Sequence, residues 1–92
     1  MDAQVVTKTV YIRNELGLHA RPAAMLAQAA NAFQSRILLT MDGNEVNAKS
    51  VLDILSLAAA KGREITLTAH GIDAESAVDQ IEKHFLDGFG EE

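Results

Sequence analysis

Six consecutive residues, Gly17-Leu18-His19-Ala20-Arg21-Pro22, hold the side chains best suited to chemistry. Proline is tolerated in the opening turn of a helix, where the amide hydrogen it lacks would have had no partner. From there Ala23, Leu26, Ala27, Ala30 and Phe33 recur with the spacing of one helical face. His19 is therefore predicted at the mouth of a helix, where unpaired backbone N–H groups and the positive end of the dipole point outward. That setting disfavours an imidazolium, so a neutral ring with a nucleophilic nitrogen is expected. A phosphoryl group on that nitrogen would meet amide donors and the Arg21 guanidinium. No acid–base partner lies within reach in sequence, and the arrangement suits receiving and releasing phosphate. A loop histidine exposed by chance is the competing reading, and the short motif alone leaves both open. His70 falls on the polar phase of a strand and His84 on the exposed face of the last helix. Neither shares ligand spacing with His19, so neither a metal nor a cofactor is expected.

Ser50 is the second candidate. Ser50-Val51-Leu52-Asp53 has the form of a capping box with Asp in place of Glu or Gln, so a helix cap is the plain reading. The helix that follows, predicted from Ser50 to Gly62, carries only Asp53 and Ser56 as polar residues between Val51 and Ala60. Ile54, Leu57 and Ala58 would supply a buried stripe, which leaves some of Val51, Leu52 and Leu55 facing water or a partner. A contiguous exposed apolar patch marks an interaction surface.

The elements that must position these residues follow from periodicity. Val10 and Ile12 alternate with Thr9, Tyr11 and Arg13, which predicts a strand over 5–13. Ile37, Leu39 and Met41 alternate in turn, and Asp42-Gly43 is a type I′ hairpin pair with a returning strand over 44–47. Ile65, Leu67 and Ala69 define a fourth strand, and Asp73 is predicted to cap a last helix whose stripe is Ala74, Ala77, Val78, Ile81 and Phe85. The order β-α-β-β-α-β-α predicts an α+β domain spanning 1–92. Its four-stranded, mostly antiparallel sheet would be covered on one face by three helices.

Composition narrows the function. Thirteen acids against eight bases give a net charge of -5, which argues against nonspecific nucleic-acid binding. Aromatic residues at 4% leave no stacking platform for single strands, and the absence of cysteine excludes zinc fingers and thiol catalysis. The longest apolar run, Ala23 to Ala27, is far short of the ~20 residues that span a bilayer. The beginning MDAQVVTK lacks the apolar stretch of a signal peptide, so a cytoplasmic protein without membrane insertion is expected. Three functional classes remain from the residues: a phosphocarrier, a small-molecule regulatory module, and an adaptor that uses the Leu52 patch.

Gly17 to Ala23, together with Val46-Asn47-Ala48-Lys49-Ser50-Val51-Leu52, closely resembles the HPr family, the histidine-containing phosphocarriers of the bacterial phosphoenolpyruvate-dependent sugar phosphotransferase system. Lys61-Gly62, the strand from Arg63 to Ala69 and Gly71-Ile72-Asp73-Ala74 continue the match over essentially the whole chain. The resemblance implies an open-faced β-sandwich and a carrier without turnover of its own. It implies that His19 takes a phosphoryl group on Nδ1 from phosphorylated enzyme I and passes it to IIA domains of sugar permeases, with Arg21 stabilising the phosphohistidine. Ser50 matches the serine that a dedicated ATP-dependent kinase/phosphorylase modifies in some bacteria. Partners would dock on Leu18, Ala24, Lys49, Val51, Leu52 and Leu55, and the protein would act as a monomer. Where many relatives carry extra lysines around this surface, the chain has Gln28, Asn31 and Asp53, which leaves Arg21 and Lys49 as the bases expected near the site.

Overall fold

The computed structural model describes residues 4–91. In chain order the elements are β1 (Gln4–Tyr11), α1 (Ala20–Asn31), β2 (Arg36–Met41), β3 (Asn44–Asn47), α2 (Val51–Ser56), β4 (Glu64–Gly71) and α3 (Ala74–Leu86), followed by a short turn at Gly88–Gly90. The strands form one sheet in the order β1-β4-β2-β3, and every pairing is antiparallel. Asp42 and Gly43 both have positive φ, as the type I′ turn between β2 and β3 requires.

Alternation along the strands sends Val10, Ile37, Leu39, Met41, Ile65, Leu67 and Ala69 to one face. They meet Leu26, Ala27 and Ala30 of α1, Ile54 of α2, and Val78, Ile81 and Phe85 of α3 in a single core. The other face carries Thr7, Thr68 and Leu38 in one cross-strand row and Thr9, Thr66 and Thr40 in the next. This is the open-faced sandwich that the sequence predicts.

Two local predictions need correction. α2 ends at Ser56, not near Gly62, because Ala58 turns into the left-handed region with φ 50°. Asp73 precedes α3 but makes no side-chain cap. Its carboxylate instead accepts from Gln34 N and Ser35 N, each at 2.9 Å, and from the Ser35 hydroxyl. These bonds tie the loop after α1 to the start of α3. They hold the Asp73 carboxyl below its ordinary range, the Ser35 hydrogen bond foremost and the Gln34 amide next.

Candidate functional site

His19 is the N-cap of α1, as the proline spacing predicts, with an extended backbone and no side-chain cap hydrogen bond. Its carbonyl accepts from Ala23 N at 3.0 Å, so the first turn of the helix closes directly on it. The loop that delivers it is fixed twice. Gly17 N donates to Asn14 O at 3.2 Å, and the buried Asn14 side chain donates through Nδ2 to Gly17 O at 2.7 Å. Leu18 N then donates to Ala59 O at 2.9 Å, which pins this loop to the segment that follows α2.

The imidazole does have an acidic partner, contrary to the sequence reading. His19 Nε2 lies 2.9 Å from Oε2 and 3.0 Å from Oε1 of Glu91, a residue 72 positions away in sequence. Asn14 Nδ2 donates to the same carboxylate at 2.9 Å, and Arg21 Nη1 stands 3.9 Å from it. Hydrogen bonding from His19, then from Asn14, with the Arg21 charge added, holds the Glu91 carboxyl below the usual range despite partial burial. Nδ1 of His19 has no hydrogen-bond partner among the described residues.

Glu91 arrives by an unusual turn. Gly88, Phe89 and Gly90 have φ of 58°, 57° and 72°. For the two glycines this is inexpensive, but for Phe89 the left-handed region costs about 1–2 kcal/mol. Burial of the Phe89 ring, worth about 1.5–3 kcal/mol, offsets that cost. The ring packs edge-on against Phe85 at a centroid distance of 5.1 Å and stacks on His84 at 6.2 Å. His84 is accordingly half-buried against the tail, not freely exposed.

The predicted docking residues separate into two groups. Leu52 (79% exposed), Val51 (36%) and Ala24 are open to solvent. Leu18 is 3% exposed, because the left-handed Gly17 and the bond to Ala59 turn its side chain into the core. The exposed leucine of this loop is Leu16, at 73%. Leu55 is half-buried and packs against the core. Lys49 is not beside His19: its Nζ donates to Phe33 O at 2.8 Å, just past the far end of α1, about 18 Å along the helix from the histidine. Ser50 lies at that end as well. Its Oγ accepts from Asp53 N at 3.2 Å, so the cap is present. The reciprocal arm of a capping box is absent, since Asp53 Oδ2 accepts from Asn47 N at 3.3 Å instead.

Two surface grooves, of about 460 and 340 Å³, are lined by residues such as Arg36 and Asn47 or Phe33 and Gln80, and neither includes His19. Among the described residues no three His, Cys, Asp or Glu side chains gather as metal ligands, and no helix is long and apolar enough to cross a membrane.

A four-stranded antiparallel sandwich with a partly exposed histidine at the N-cap of its first helix is an architecture this chain shares with solved phosphocarrier structures. The family profile described as "PTS HPr component phosphorylation site" matches residues 6–86, and the chain belongs to the HPr phosphocarrier family of the phosphotransferase system. It is 44% identical over 88 residues to the phosphocarrier protein HPr of Treponema pallidum, covering 96% of this chain and all of that protein. The structure of HPr-C-His from Thermoanaerobacter tengcongensis superimposes with a TM-score of 0.91 at 41% identity, covering 95% of this chain and 98% of that one. An HPr dimer from the same organism matches with a TM-score of 0.76 at 41% identity, over 89% of this chain and 94% of that one.

Proposed function

We propose that His19 is the phosphoryl acceptor, that it receives the group on Nδ1 from phosphorylated enzyme I, and that it delivers it to IIA domains of sugar permeases. The observation that carries this reading is the division of labour on the ring. Nε2 is engaged by Glu91, while Nδ1, at the mouth of α1, has no partner among the described residues. A phosphoryl group there would meet the unpaired N–H groups of the first turn and the 67% exposed Arg21 side chain, both suited to a dianion. Positioning and electrostatics carry most of such a transfer, so a domain of this size suffices. The protein acts in this reading as a cytoplasmic monomer and a co-substrate without turnover of its own.

Donor and acceptor must reach the same imidazole in turn, so one surface serves both. Leu16, Ala24, Val51 and Leu52 are the exposed apolar residues proposed for it. Ser50, at the start of α2 beside Val51 and Leu52, is the proposed regulatory site of a serine kinase, where a phosphate would place roughly -2 charge next to the docking residues. The test is mass spectrometry after incubation with phosphoenolpyruvate and enzyme I. His19→Ala should lose all acid-labile phosphate while His70→Ala and His84→Ala retain it, and Arg21→Ala should label more slowly. Residual label on the His19→Ala variant would overturn the assignment.

A further inference from the structure

We infer that Asn14 and Glu91 act together as positioning residues that hold His19 as its Nε2–H tautomer, so that the nucleophilic lone pair resides on Nδ1. The inference rests on the reading of His19 as the acceptor and adds how the acceptor is prepared. A neutral imidazole carries one N–H, and the hydrogen bond made by one nitrogen decides which nitrogen keeps the proton. A carboxylate only accepts. With both Glu91 oxygens within 3.0 Å of Nε2, that nitrogen must be the donor. Asn14 fixes the acceptor in turn. Its Nδ2 donates simultaneously to Glu91 Oε1 and to Gly17 O, so one amide ties the carboxylate to the loop that carries the histidine. Asn14 is 1% exposed, and its Oδ1 has no hydrogen-bond partner among the described residues. Leaving a buried amide oxygen unsatisfied is costly, and the cost is consistent with an orientation dictated by where its N–H groups are needed.

The chemistry follows with atoms and charges in balance. The Nδ1 lone pair forms the bond to phosphorus while the bond to the donor's leaving atom breaks and its electron pair stays with the donor. The ring acquires positive charge, and the Nε2 proton stays between the ring and the Glu91 carboxylate, which offsets that charge. On donation the N–P bond breaks, its pair returns to Nδ1, and the ring is again the neutral Nε2–H form. No proton need be exchanged with solvent in either direction. The titratable His19 and the charged Arg21, both at the start of α1, face Glu91; Asn14 is the neutral donor from the loop, and from α3 His84 stacks on Phe89.

Nitrogen-15 NMR of the imidazole at alkaline pH reads the tautomer without any phosphoryl donor. The wild type should show Nε2 protonated and Nδ1 with the shift of an unprotonated nitrogen. Glu91→Ala should move the tautomer ratio toward Nδ1–H by about tenfold, the weight of one charge-assisted hydrogen bond. Asn14→Ala should shift it in the same direction by less, and if that variant does not fold the Glu91→Ala result still decides. A wild-type ring protonated on Nδ1, or nitrogen shifts unaffected by Glu91→Ala, would overturn the inference. The same samples, labelled with phosphoenolpyruvate and enzyme I, keep the two readings apart. Label on His19 with an unresponsive tautomer removes only the role of Asn14 and Glu91, whereas no label on His19 removes the acceptor itself.

Discussion

Gly17→Ala tests whether the loop before His19 is set by backbone packing. The glycine has φ of +68°, and a Cβ built on it would overlap the Ala59 carbonyl oxygen and stand 3.0 Å from Ala60 Cα. Two costs add. The left-handed conformation costs a residue with a Cβ about 1–2 kcal/mol. Relieving the overlap separates the two loops and breaks the Leu18 N to Ala59 O bond, worth about 1 kcal/mol or more with both groups buried. The total is about 2–3 kcal/mol, which at about 4–8 °C per kcal/mol for a domain of this size lowers the melting temperature by about 10–20 °C. Gly62→Ala is the matched control, with φ of +89° and nothing within 4 Å of the added carbon, so it bears only the conformational cost. Urea denaturation of both variants separates the terms. Equal losses for Gly17→Ala and Gly62→Ala would refute the claim that close approach of two backbones fixes this loop.

Three further outcomes are expected. Leu52→Asp, at an exposed position, should change stability by no more than about 0.5 kcal/mol while slowing transfer from enzyme I and to a IIA domain alike; a large loss of stability would show that Leu52 is a core residue. Ser50→Ala should cost about 1 kcal/mol through the lost cap, and Ser50→Asp should slow transfer less as salt rises, as quench-flow at two ionic strengths would reveal. Asp73 has a depressed carboxyl, so its stabilising contribution is present above about pH 4, its unfolded value, and is lost as pH falls through the lower folded one. Asp73→Asn should therefore be less stable than the wild type at neutral pH, with the gap closing below about pH 4 in acid titrations followed by circular dichroism.

Features set by near neighbours in sequence were legible there. Alternation assigned the buried faces of β1, β2 and β4, Pro22 located the mouth of α1, and Asp42-Gly43 located the hairpin. Distant contacts were not. Glu91 shares no local pattern with His19, and only the left-handed turn at Phe89 brings it back. Leu16 and Leu18 are equally apolar, and which of them is buried depends on the orientation of a glycine pinned against a segment some forty residues on. The end of α2 leaves no mark in the sequence, because Ala58, not a glycine, takes the left-handed position. Asp73 looks like a cap from its place before a helix, yet its carboxylate serves the loop of Gln34 and Ser35.

The sheet order also has a consequence in time. β4 is an interior strand that pairs with β1 on one side and β2 on the other, and it is the last strand that a ribosome makes. The β2–β3 hairpin can close on its own turn during synthesis, but β1 has no partner until Glu64 to Gly71 have emerged. Until then the segment that carries His19 hangs from an unpaired strand, with neither the Ala59 contact held by a finished sheet nor Glu91 in place. Long-range pairing of this kind slows folding and makes it cooperative. Nascent chains should therefore acquire protease resistance in one late step, after β4 has cleared the exit tunnel.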